Sequence, residues 1–180
     1  ACTNEDVRMI LKTMASQGHD PVFSMGDDIP LAVLSQTHRP LPFYFRQRFA
    51  QVTNPAIDPL REELVMSLDC YVGPRGSIFE ETPEHARVIH LETPLLSARA
   101  LEAIRRGGDG VFRCRELSAL FPVERGPAGL EEALERLCQE AVRAADEGCQ
   151  VLILSDRGVD AQHAAIPMLL AVGAVHHGLI

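Results

Sequence analysis

The stretch from Pro127 to Gly158, PAGLEEALERLCQEAVRAADEGCQVLILSDRG, decides the fold class. Leu130, Leu134, Leu137, Ala141 and Ala145 recur every three or four residues, which predicts one long amphipathic helix with these groups on its inner face. Gly148 follows its last turn, where a left-handed residue ends a helix at least cost. Val151 to Leu154 then form an unbroken apolar run too short for a helix, the pattern of a parallel strand covered on both faces. A second helix is predicted in IPMLLAVGAVHHGLI, residues 166–180. Helix, strand, loop and helix in this order predict an α/β fold, a mostly parallel sheet layered with helices, with a right-handed crossover as the default.

Working outward, Thr3-Asn4-Glu5-Asp6 before Val7, Met9, Ile10, Leu11 and Met14 predicts an N-capped helix that Gly18 ends. Gly26 and Pro30 shape a bend in FSMGDDIPLAVL. Phe45, Phe49 and Val52 predict a helix over 43–52, stopped by Pro55. The next helix is expected over Pro59–Leu68, capped by Asp58, with Leu60, Leu64 and Leu68 on one side. Glycines, prolines and acids mark 73–83 as a surface connection, RVIHLETPLL as a strand and its exit, and Ser97 as the start of a helix. Gly107-Gly108-Asp109-Gly110 is a turn into a strand within GVFRCREL.

At 180 residues and 19.8 kDa the chain fits one domain, able to bury roughly 70% of the surface it exposes when unfolded. Its formal net charge of -8 opposes nonspecific attraction to nucleic acid or anionic membrane. Five scattered cysteines with no Cys-x-x-Cys pair fit reduced thiols in a cytoplasmic setting. No run is long and apolar enough for a membrane span, and the first residues lack a secretory signal pattern.

Ser155, Asp156 and Arg157 stand just beyond the expected buried strand, where open parallel sheets present ligand-contacting loops. A serine nucleophile needs an aligned base and there is no G-x-S-x-G elbow, so capping and a surface network of Asp156 and Arg157 compete with chemistry. His176-His177 and His163 lack the His-x-x-x-His spacing of a metal pair; one histidine of the pair packed inside and its neighbour outside is the simpler expectation. Asp27-Asp28 suits a turn better than a cation site, since no further oxygen-rich ligand run follows. Cys2 follows Ala1 and so has no free α-amine of its own to act as base. Neither G-x-G-x-x-G nor G-x-x-x-x-G-K-[ST] occurs, which removes both phosphate-cradling fingerprints.

Three stretches together, SMGDDIPLAVLS, YFRQRFAQVTNPAIDPLREELVMSL and ILSDRGVDAQHAAIPMLLAVGAVHHGLI, resemble the central domain of the glutamate synthase large (alpha) subunit. The resemblance implies a single central (linker) domain over 1–180 with a variable middle region, 73–129, and without a full barrel of its own. It implies neighbours in the same chain, an amidotransferase domain led by a cysteine and an FMN-binding barrel. It implies glutamine hydrolysis at one site and reductive amination of 2-oxoglutarate at another, with ammonia passing between them. FMN and an iron–sulfur cluster belong to the full-length enzyme and no cofactor to this segment alone; a small NADPH-oxidising subunit is a further partner left open. By the same resemblance Thr53 and Asn54 line the ammonia tunnel, while Met25, Gly26 and Asp27 form the edge of the flavin and substrate pocket, with no catalytic and no metal residue in the segment.

Two other classes remain open on the residues alone. One is a free-standing small-molecule enzyme using Ser155, Asp156 and Arg157 with His163 or His176; the other is a module binding an anionic metabolite through Arg46, Arg48 and Arg157.

Overall fold

The computed structural model describes residues 3–21, 30, 32–46, 48, 50, 52 and 56–180. They fall into two compact units, residues 1–70 with 90–94 and residues 71–89 with 95–180.

In the first unit the Thr3 hydroxyl accepts from the Asp6 amide at 3.1 Å and the Asp6 carboxylate accepts from the Thr3 amide at 2.8 Å. This reciprocal cap opens α1 (Asn4–Asp6), which continues through a π-helical segment (Val7–Leu11) into α2 (Lys12–Gln17). Gly18, at φ 68°, ends it where the sequence places the stop. Among the described residues of 43–52 the expected helix is not seen. A 3₁₀ turn spans Leu41–Tyr44, Phe45 is extended, and the described residues that follow are not helical. Tyr44, Phe45 and Val52 stay exposed, and a helical apolar stripe forms a helix only when it has something to bury against.

Asp58 caps α3 (Pro59–Val65) by accepting from the Leu60 and Arg61 amides, each at 3.1 Å. α3 stops short of the expected Leu68 because the backbone there changes partners: the Met66 carbonyl accepts from the Asp20 amide at 2.8 Å and Ser67 bridges His19 in antiparallel pairing. Leu60 and Leu64, expected on one side of the helix, are 93% and 79% exposed. Two short strands, β1 (Cys70–Val72) and β2 (Ile89–Leu91), pair with each other.

The second unit carries the α/β core. Ser97 accepts from the Ala100 amide at 3.1 Å and opens α4 (Ala98–Arg105). A one-turn helical segment, α5 (Gly107–Gly110), leads into β3 (Cys114–Ser118) and β4 (Leu120–Pro122). There Gly107 is obligatory: at φ 69° it lies so near the Phe112 carbonyl that a Cβ would stand 1.9 Å from the oxygen. After α6 (Gly126–Asp146) the chain enters β5 (Val151–Ser155), then β6 (His163–Ala165) and α7 (Met168–Leu179).

β3 and β5 run parallel, Cys114 opposite Val151 through Ser118 opposite Ser155, so α6 is the crossover between them. β4 and β6 are antiparallel. Ala119 joins the two ladders, its amide donating to the Ser155 carbonyl and its carbonyl accepting from the Ile166 amide, each at 2.8 Å. α/β layering is thus borne out, with small parallel and antiparallel sheets and no closed barrel among the described residues. The β4 and β6 pair went unread in the sequence, being only three residues a side.

Along β3 side chains alternate: Leu117 is buried while its neighbours Glu116 and Ser118 are exposed. Leu117, Ala119, Ala133, Leu137, Ala141, Ile166, Ala171 and Val175 form one cluster. The inner face of α6 runs through Gly129, Ala133, Leu137, Ala141 and Ala144, so Ala144 replaces the expected Ala145, which is exposed. α7 packs close to α6, where a Cβ on Gly178 would touch Cys138 at 3.4 Å. Gly148, at φ 81°, stops α6 as predicted. Both His176 and His177 are exposed, their rings edge to face at 5.3 Å, so neither is the expected interior histidine. They fall in the last turn of α7, past the Val175 that closes the core. Among the described residues no helix is long and apolar enough to cross a membrane.

Candidate functional site

The carboxyl ends of β3 and β5 are where a parallel sheet offers a ligand site, and the structure fills this one with a charge network. Glu116 and Ser118 share one face of β3 by the strand period of two, and Ser118 is opposite Ser155. Across this face the Ser155 hydroxyl donates to the Glu116 carboxylate. Arg105, at the end of α4, approaches the same carboxylate with Nε at 2.6 Å, and Arg157 adds a second favourable charge. The Ser155 bond first, then the two guanidinium groups, hold Glu116 below the usual carboxylate range. Ser155 also accepts a long bond from the Arg157 amide, 3.4 Å.

This arrangement does not activate a nucleophile. A carboxylate stabilised in its charged form is a weaker base than a free one, so Glu116 fixes the Ser155 hydroxyl without withdrawing its proton. His163 is engaged elsewhere: its Nδ1 lies 3.0 Å from Asp160 Oδ1, which also accepts from the Gln162 and His163 amides. His176 meets His177 edge to face. The Ser155, Asp156, Arg157 and His163 set of the free-standing enzyme reading is therefore divided between two structural knots. Arg46 and Arg48 are exposed and belong to the first unit, whereas Arg157 belongs to the second.

A third polar group sits in the first unit: His90 Nε2 is 2.8 Å from Asp69 Oδ1, and the Ser67 hydroxyl donates to Asp69 Oδ2 at 3.1 Å. Serine and histidine meet the carboxylate from opposite oxygens, so the hydroxyl does not face the imidazole as a nucleophile and base would. Near α6 a groove of about 290 Å³ is lined by Arg115, Leu117, Glu140, Arg143 and Glu147. Arg115 pairs with Glu147 across it at 2.5 Å, while Glu140 pairs with Arg136 outside its lining. No cluster of three or more His, Cys, Asp or Glu able to hold a metal occurs among the described residues. The residues singled out by resemblance, Thr53 and Asn54 for the tunnel and Met25, Gly26 and Asp27 for the pocket edge, lie outside the described residues. Glu116 and Arg105 were missed in the sequence; the one local signal is a charged residue beside Leu117 in a strand.

The sequence model of one family, described as the glutamate synthase central domain, matches residues 1–180, the whole chain. The chain belongs to that family. It is 51% identical over 181 residues to the ferredoxin-dependent glutamate synthase of spinach chloroplasts, covering 99% of this chain and 11% of the relative. A ferredoxin-dependent glutamate synthase of Synechocystis is 50% identical over 182 residues, again 11% of its length. The NADPH glutamate synthase large chain of Azospirillum brasilense is 45% identical over 179 residues and 12% covered. The chain thus spans about a tenth of the length of these curated relatives.

Proposed function

We propose that this chain serves a glutamate synthase as its central segment, joining an amidotransferase domain to an FMN domain and shaping the passage of ammonia between them. One observation carries the reading: the family match runs from the first residue to the last, at about half identity to enzymes roughly nine times longer. The internal pairing of Ser155 and His163 supports it too, since their chemistry is spent on structure.

Ammonia produced from glutamine is small and neutral, so a conduit must offer hydrogen bonds while excluding bulk water and strong acids that would trap it as ammonium. Thr53 and Asn54 supply such groups, followed by Pro55 and, after the Asp58 cap, Pro59. Each proline fixes its own φ and restricts the residue before it. Met25 sets an uncharged, polarizable side chain at the edge of the pocket, Gly26 lets the backbone approach closely, and Asp27 rims it. The flavin, when bound in the neighbouring barrel, supplies the hydride that turns 2-oxoglutarate and ammonia into glutamate; an iron–sulfur cluster there relays electrons. The donor differs among the relatives, named for ferredoxin or NADPH, and a small NADPH-oxidising partner goes with the latter.

The test is stoichiometric. In the full-length protein, Thr53→Ala with Asn54→Ala is expected to make glutamine consumption outrun 2-oxoglutarate consumption, with free ammonia in the medium, while synthesis from added ammonia persists. Equal consumption of both substrates in that variant would remove Thr53 and Asn54 from the conduit.

A further inference from the structure

β1 and β2 pair with each other, so residues 73–88 form a loop closed at its base. Its regular structure is one 3₁₀ turn, Pro83–Ala86, and compact loops of this length with adjoining ends are commonly functional. The loop folds back on itself: Gly76 lies so close to His85 that a Cβ there would stand 2.6 Å from the ring Nε2. Between its two arms is a cavity of about 580 Å³, within the size range of small-molecule sites. Tyr71, Pro74, Ile78, Ala86 and Val88 give it mostly apolar walls, and Arg75 and His85 line it as well.

These two polar side chains are not spent on the protein. Among the described residues the Arg75 guanidinium has no hydrogen bond and no ion pair, and the His85 ring has no hydrogen bond. Other charges of the loop are engaged. Arg87 donates to the Val111 carbonyl at 3.3 Å, and Glu84 accepts from the Thr82 hydroxyl while attracting His85 and Arg87. Glu80 and Glu81 do not line the cavity.

We propose that this cavity binds a small monocarboxylate with an apolar body, its carboxylate on Arg75 and its body against Tyr71, Ile78 and Val88. A guanidinium matches a carboxylate through two parallel N–H bonds. An ion pair this exposed contributes little alone, and the apolar walls add the burial that makes binding specific. Ile78, 89% exposed at the rim, has apolar surface that an occupant takes out of water. A single unpaired guanidinium answers one negative charge, and Glu80, Glu81 and Glu84 in the same loop repel a second. The site therefore selects against dicarboxylates and phosphate esters. His85, set against Gly76, offers a ring nitrogen to a further polar group of the ligand. None of this depends on the connector reading.

The probe is 3-phenylpropanoate, titrated calorimetrically into the full-length protein. It should saturate with a Kd of about 1 mM or below. 3-Phenylpropanamide lacks the charge, propanoate lacks the body and phenylsuccinate carries a second charge; each should bind about 10-fold more weakly. Arg75→Gln should weaken 3-phenylpropanoate by about the same factor and Arg75→Lys by less; Arg75 is exposed, so both variants keep the fold. Amide hydrogen exchange should slow within 71–88 on saturation and stay unchanged over 126–146. The absence of saturation below about 10 mM, an amide that binds as well as the acid, an affinity indifferent to Arg75→Gln, or protection confined to residues outside 71–88 would each overturn the proposal.

Discussion

Leu137→Ala probes the centre of the second unit. Leu137 is fully buried at the middle of α6, and its cluster consists of Leu117, Ala119, Ala133, Ala141, Ile166, Ala171 and Val175. Three buried carbons are lost, about 2.4 kcal/mol of transfer free energy at ~0.8 kcal/mol each. Four of the seven neighbours are alanines, with no side chain able to swing into the gap, so most of the cavity stays open and adds about 1–2 kcal/mol. The expected loss is about 3.5–4.5 kcal/mol. With a urea slope of ~2 kcal/mol per molar the midpoint falls by roughly 2 M. Circular dichroism at 222 nm reports it, because α6 and α7 dominate the helical signal of this unit. Ala144→Lys and Ala145→Lys complete the experiment: the first forces a charge into the buried face and should unfold the unit at low urea, the second projects into water and should leave the midpoint nearly unchanged. A loss below about 1 kcal/mol for Leu137→Ala, or equal effects at 144 and 145, refutes the packing of α6 described above.

Gly110→Ala meets no atom within 4 Å and suffers only its φ of 87°, about 1–2 kcal/mol; Gly107→Ala adds a collision with the Phe112 carbonyl, and its urea midpoint should fall further than that of Gly110→Ala. Ser97→Ala removes the α4 cap at Ala100 and should cost about 1 kcal/mol in the same assay, with Ser97→Asp restoring it. The folded pKa of Glu116 is lowered by Ser155 and then Arg105, so its contribution is fully present above the ordinary carboxylate range and disappears as pH falls through and below it. Glu116→Gln is accordingly expected to lower the urea midpoint at pH 7 and to leave that at pH 3 nearly equal to the parent's, so that the difference between variant and parent narrows on acidification; a constant difference would deny the charge any role.

What could be read from the sequence was local. The caps Thr3, Asp58 and Ser97, the glycine stops at 18 and 148, and the succession of α6 and β5 all follow from groups within four residues of one another. The inner face of α6 was harder, because steps of three and four both satisfy a helical stripe and only tertiary burial distinguishes Ala144 from Ala145. The helix expected over 43–52 had the right period, but among its described residues Tyr44, Phe45 and Val52 stay exposed. β4 and β6 exist through pairing across the sequence, Leu120 with Ala165 and Pro122 with His163, which no three-residue window reveals. The Glu116 network likewise needs the register of β3 on β5 before Ser155 can be seen to reach it. The residues assigned to the conduit came by resemblance alone.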